Sequence, residues 1–207
     1  MIPARPQLRR ALYLGFLCAS FLLLCPFRAA AHLPSVGLGP VYDGIFHFLL
    51  SAEDLIPVIG LSLLSGQRGT AFGRRVMWLL PLTWFIGGML GTIRGSGQGS
   101  WLTVFSFLLI GGLVAASARI TLKGLSVLAG LLGLFHGYLN GAGMNSFTDS
   151  TYVLIGTIMT VFAIVALFTS FVIPLHRYWT LIVIRVAGSW IAATGLLMFG
   201  WAFRQHG

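Results

Sequence analysis

Six runs of about 20 mostly apolar residues follow one another along the chain, at 41–64, 76–93, 101–118, 124–142, 152–173 and 178–202. Wound as a helix at ~1.5 Å per residue, such a run matches the ~30 Å hydrocarbon core of a bilayer. Backbone groups find no water at that depth, so each run must be helical. The connections are short and rich in Gly, Ser, Thr and Arg, which leaves no room for a second, soluble domain. Only 8% of the residues are charged, against roughly a quarter in a soluble domain. The expected fold is an all-α membrane protein: a bundle of six transmembrane helices.

Residues 1–31 read as a cleavable signal peptide. Arg5, Arg9 and Arg10 precede an apolar run at 11–27, and Ala29-Ala30-Ala31 supplies a small-residue cleavage pattern. Cleavage after Ala31 makes residues 32–207 the membrane domain and His32 its first residue. The competing reading is an uncleaved first helix. Cys18 and Cys25 both fall inside this signal, so the mature chain would have no disulfide and no thiolate metal site.

The formal charge is +9, but the cations are spread thinly between apolar runs. That pattern orients a membrane protein and gives no reason to expect a nucleic-acid partner. With the cleaved N-terminus outside, the inner loops hold Arg68, Arg74, Arg75, Arg119, Lys123 and Arg177, and the outer segments hold Arg94 and Arg204. This asymmetry and the export signal both place the chain in a bacterial inner membrane, with both termini in the periplasm. Gly133 and Gly137, one turn apart, are expected to pack helices within the bundle rather than between two copies. Trp78, Trp84, Trp101, Trp179 and Trp201 read as interfacial belts.

Ionisable side chains inside a span are costly and each calls for a reason. The first run contains Asp43, His47, Glu53 and Asp54. On a straight helix Asp43, His47 and Asp54 share one face, with Ser51 between them, and Glu53 points elsewhere. The fourth run contains His136 and Asn140, one turn apart. Counted along straight helices, His47 and His136 lie at one depth, about 9 Å below the outer boundary. Two imidazoles at one level, with Asp43 and Asn140 nearby, suit nickel, copper, zinc or iron. The plainer reading is that each histidine hydrogen-bonds a neighbouring helix. The same count puts Asp54 and Arg185 together at a deeper level, where an ion pair would keep both charged. His32 adds a separate chelating option, since a free N-terminal amine and its own imidazole can hold copper. No catalytic constellation is evident. Gly95-Ser96-Gly97 with His136 is too weak a match to an intramembrane protease, and the chain is expected not to be an enzyme.

The two polar motifs are similar to those of the HupE/UreJ family. Gly44-Ile45-Phe46-His47-Phe48-Leu49-Leu50-Ser51-Ala52-Glu53-Asp54 resembles the family's His-x5-Asp-His pattern, and Phe135-His136-Gly137-Tyr138-Leu139-Asn140-Gly141 resembles its Phe-His-Gly-x-x-His-Gly-x-Glu. The departures are specific. Glu53 replaces the family's Asp and Asp54 the following His. Asn140 replaces the later His, Gly143 the closing Glu, and Phe48 the usual Pro. The resemblance implies a secondary transporter of a divalent transition metal, nickel first, with copper or cobalt as alternatives. No permanently bound cofactor is expected. Metalloenzyme-maturation proteins, for hydrogenase or urease, are the implied partners besides the lipid bilayer. The expected ligands are His47 and His136, helped by Asp43 and Asn140, with Glu53 and Asp54 as the next polar station. The alternative is a membrane subunit or accessory factor that moves nothing.

Overall fold

The computed structural model describes residues 37–95, 100–144, 147–175 and 178–206. The expected signal peptide, His32, Ser96 and Arg177 lie outside the described residues. Among those described are seven helices and no strand: α1 (Pro40–Leu50), α2 (Ala52–Arg68), α3 (Thr70–Arg94), α4 (Ser100–Ala115), α5 (Leu122–Ala142), α6 (Phe147–Val172) and α7 (Tyr178–His206).

The first apolar run is not one straight span. It breaks at Ser51 into α1 and α2, bent by 73°. Ser51 takes an extended conformation, φ −83° and ψ 95°. Its N–H closes α1 on the His47 carbonyl at 2.9 Å, and its own carbonyl accepts from Asp54 and Leu55 to open α2. The local sequence favours this break. Ser51 is an N-cap type, and Glu53 and Asp54 follow in the first turn, where the helix dipole welcomes negative charge. Pro57, the sixth residue of α2, lacks the N–H that would bond the Glu53 carbonyl, which weakens the helix just after the break.

Among the described residues, four helices, within α3, α5, α6 and α7, are long and apolar enough to cross a membrane, and the bent pair makes a fifth span if counted as one. The run at 101–118 yields only the 16-residue α4, about 24 Å long at ~1.5 Å per residue. Of the six expected full spans, the described residues supply four, or five with the bent pair, and α4 is a shorter apolar helix.

Helix α2 holds the centre. Val58, Leu61 and Leu64 are fully buried, and Gly60 and Gly66 face Ile110 of α4 and Val172 of α6. Around it the helices pair: α3 with α5, α4 with α7, and α1 with α6. Glycine makes the α3–α5 contact possible. A Cβ at Gly87 would overlap the Leu134 carbonyl, and one at Gly137 the Trp84 carbonyl. Gly133 and Gly137 thus pack helices inside the bundle, as expected.

The ends of the bundle differ in charge. The Arg68 guanidinium donates to the Ser117 carbonyl at 2.6 Å, which brings the end of α2 and the start of α3 to the loop carrying Arg119 and Lys123. Arg74 and Arg75 lie one turn into α3 at this end. The opposite end holds Arg94, the break at Ser51 and the first turn of α6 with Asp149.

Candidate functional site

Asp54, His136 and Asn140 meet where the first turn of α2 touches the C-terminal half of α5. Asp54 is 6% and His136 1% exposed. The His136 Nδ1 lies 2.9 Å from Asp54 Oδ1, and Asn140 Nδ2 donates to Asp54 Oδ2 at 2.8 Å. The Ser51 hydroxyl donates to the same Oδ2 at 3.1 Å. The carboxylate is thus held on both oxygens, at the positive end of α2.

The far side of the imidazole is also held. His136 Nε2 lies 3.1 Å from the Ser106 Oγ of α4. The Ser106 Oγ also lies 2.7 Å from the Thr103 carbonyl, which ties the hydroxyl to its own helix where it meets the ring. The ring packs against Trp84 of α3, centroids 5.7 Å apart, and Trp84 in turn meets Phe48 of α1 edge-on at 5.5 Å. Five helices therefore contribute to one buried cluster.

Two polar atoms in it have no partner among the described residues: Asn140 Oδ1 and Trp84 Nε1. Asn140 cannot relieve its oxygen by flipping, since that would turn Oδ1 toward the Asp54 carboxylate. A buried polar atom left unpaired costs about 1–3 kcal/mol. The cluster therefore retains a free oxygen acceptor beside its carboxylate.

The expected arrangement is corrected at several points. Depths counted along a straight helix fail at the 73° bend, and Asp54 rather than His47 stands level with His136. Asp43 and His47 belong to α1 and Asp54 to α2, so they share no single helix face. His47 is half-buried on α1, and none of the cluster's hydrogen bonds involves it or Asp43. Glu53 is exposed. Asp54 is not paired with Arg185, whose Nε donates to the Ala115 carbonyl at 2.8 Å. Trp84 is fully buried beside His136 and belongs to no belt, whereas Trp78, Trp101, Trp179 and Trp201 are exposed. Two members, Ser106 and Trp84, were not singled out as site residues. Each lies mid-run, where a polar hydroxyl or an indole N–H stands out against Leu and Val.

A multi-pass helical membrane protein, with a histidine–carboxylate pair buried beside a broken helix, is the class that this fold and site define. The family model for HupE / UreJ protein matches residues 20–198, nearly the whole chain, and the chain belongs to the HupE/UreJ family. That match begins inside the segment read as an export signal. No match was found among curated proteins or among solved structures.

Proposed function

We propose that this HupE/UreJ-family protein is a secondary transporter of a divalent transition metal, nickel first, with cobalt or copper as alternatives. The single observation behind this reading is the meeting of Asp54, His136 and Asn140. Three positions that align with the two family motifs, His136 as the family has it and Asp54 and Asn140 in place of family histidines, lie far apart in sequence and converge on one buried cluster. A carboxylate, an imidazole and an amide oxygen form a donor set suited to a borderline first-row cation. A broken helix adds to it. Where α1 ends and α2 begins, backbone carbonyls and N–H groups lack intrahelical partners, an arrangement that transport proteins use near their cargo. His47 and Asp43 on α1, with Glu53 exposed beside the break, would form the approach. The cationic end would face the cytoplasm of a bacterial inner membrane, which agrees with the loop charges.

One observation favours a second reading, a membrane subunit or accessory factor for a metalloenzyme that moves no ion itself. Asp54 and His136 already satisfy one another, and no group of three or more His, Cys, Asp or Glu side chains forms a metal cage among the described residues. Uptake separates the two. Cells making the wild-type chain should accumulate nickel above cells carrying an empty vector, and His136→Ala should return them to the empty level. Wild-type uptake no higher than the empty vector, at verified membrane expression, rejects the transporter reading.

A further inference from the structure

Arg74 and Arg75 stand in the second turn of α3, both exposed. Neither makes a hydrogen bond or ion pair with any described residue. The chain offers them no counter-ion at that end. Its 4 acidic residues are Asp43, Glu53, Asp54 and Asp149, and all lie toward the opposite end of the bundle. Arg68, Arg119 and Lys123 share the cationic end.

Beneath the two arginines runs a groove of ≈ 450 Å³ between α3 and the start of α5. Its wall continues through Trp78, Leu79 and Leu82, with Leu122 on the facing helix. From Arg75 to Leu82 the wall descends about 10 Å at ~1.5 Å per residue. The order along it is cation, aromatic, aliphatic. Trp78 is 67% exposed and its ring is held against Phe162, centroids 5.1 Å apart. A tryptophan at this level is placed to sit at the headgroup boundary.

We propose that this groove binds one anionic phospholipid, its phosphate between Arg74 and Arg75 and an acyl chain along Leu79, Leu82 and Leu122. Charge complementarity selects the occupant. Two neighbouring exposed guanidiniums without a partner among the described residues are free to take an external anion, and guanidinium meets phosphate in bidentate fashion. A free phosphate would satisfy the arginines and leave the apolar wall uncovered. A zwitterionic lipid would cover the wall and bring its own cation to the arginines. Its phosphate end, at Arg74 and Arg75, lies about 14 Å along α3 from Trp84 of the Asp54–His136 cluster at ~1.5 Å per residue, and the proposal stands whether or not the protein moves a metal.

Native mass spectrometry of the purified full-length chain in a neutral detergent tests this. Phosphatidylglycerol and phosphatidylcholine with the same acyl chains are offered in equal amounts. Phosphatidylglycerol adducts should dominate about tenfold or more, since each basic residue near a bilayer surface contributes measurably to anionic lipid binding. Arg74→Gln with Arg75→Gln should abolish the preference. Arg119→Gln with Lys123→Gln removes the same charge from the same end and should keep it. Both double variants must melt within a few degrees of the wild type. Glycerol phosphate at the same concentration should not displace the lipid. The proposal is overturned if the Arg74/Arg75 variant keeps the preference, if both double variants lose it equally, or if glycerol phosphate displaces the lipid.

Discussion

Asp54 and His136 stand 82 residues apart in the chain and meet at 2.9 Å, both buried. The contact ties the first turn of α2 to α5, and Asn140 and Ser106 complete its hydrogen bonding. Removing one partner leaves the other desolvated with its interaction lost. Asp54→Ala or His136→Ala is expected to destabilise the fold by about 3–5 kcal/mol. The double change Asp54→Ala with His136→Ala should cost less than the sum of the two single changes. Thermal melts in one detergent, compared across the four proteins, measure this. Additive losses would mean that the two side chains do not interact.

Arg185 separates this arrangement from the pairing that helix depth alone suggests. Its guanidinium serves the Ala115 carbonyl at the cationic end. Arg185→Gln should therefore spare metal uptake, while Asp54→Asn should abolish it. Equal loss in both would restore the Asp54–Arg185 pair.

How much of this was legible follows from particular residues. The helices and the α3–α5 glycine contact could be read because apolar length and small-residue spacing are local properties. The polar residues of the site could be read because ionisable groups in apolar runs are rare. Their arrangement could not, because residue spacing converts to depth only along a straight helix and the first run bends by 73°. Yet the break carried a local signal. Ser51-Ala52-Glu53-Asp54 fits the pattern of a helix start, a Ser followed three residues later by an acid. Here the Ser51 hydroxyl bonds the Asp54 carboxylate rather than a backbone N–H. Which helices are neighbours is a tertiary fact, and no spacing within one run reveals that Ser106 or Trp84 would reach His136.

Ser106 makes a graded test. Ser106→Ala removes the hydrogen-bond partner of His136 Nε2 and leaves the Asp54 contact in place. The expected loss of stability is about 1–3 kcal/mol, the cost of leaving a buried ring nitrogen unpaired. Ser106→Thr, which keeps the hydroxyl, should recover part of it. Melting temperatures of the three proteins check the order. A Ser106→Ala protein as stable as wild type would remove Ser106 from the cluster.

Packing at α3–α5 gives a contrast between glycines. Gly137→Ala places a Cβ into the Trp84 carbonyl, and backbone must move; a loss of about 1–3 kcal/mol or more is expected. Gly130, on the same helix, has nothing within 4 Å of an added Cβ. Gly130→Ala should be neutral or stabilise by roughly 0.5–1 kcal/mol through helix propensity. Paired melts of the two variants decide it, and the reverse order would contradict the glycine contact.

Orientation can be read with single cysteines. The native Cys18 and Cys25 lie near the N-terminus, so the unsubstituted chain supplies the background. Thr70 and Arg94 are exposed at the two ends of α3. In spheroplasts a membrane-impermeant thiol reagent should label Arg94→Cys and leave Thr70→Cys unlabelled until the membrane is opened. The opposite pattern would invert the proposed topology.

The central claim is that cargo binds at the Asp54–His136–Asn140 cluster. Equilibrium nickel binding to the purified full-length chain in lipid nanodiscs tests it most directly, with His136→Gln measured beside the wild type. Saturable binding is expected for the wild type and should weaken at least about tenfold in His136→Gln, with the melting temperature confirming that the variant is folded. Nickel binding as tight in His136→Gln as in the wild type would contradict the claim.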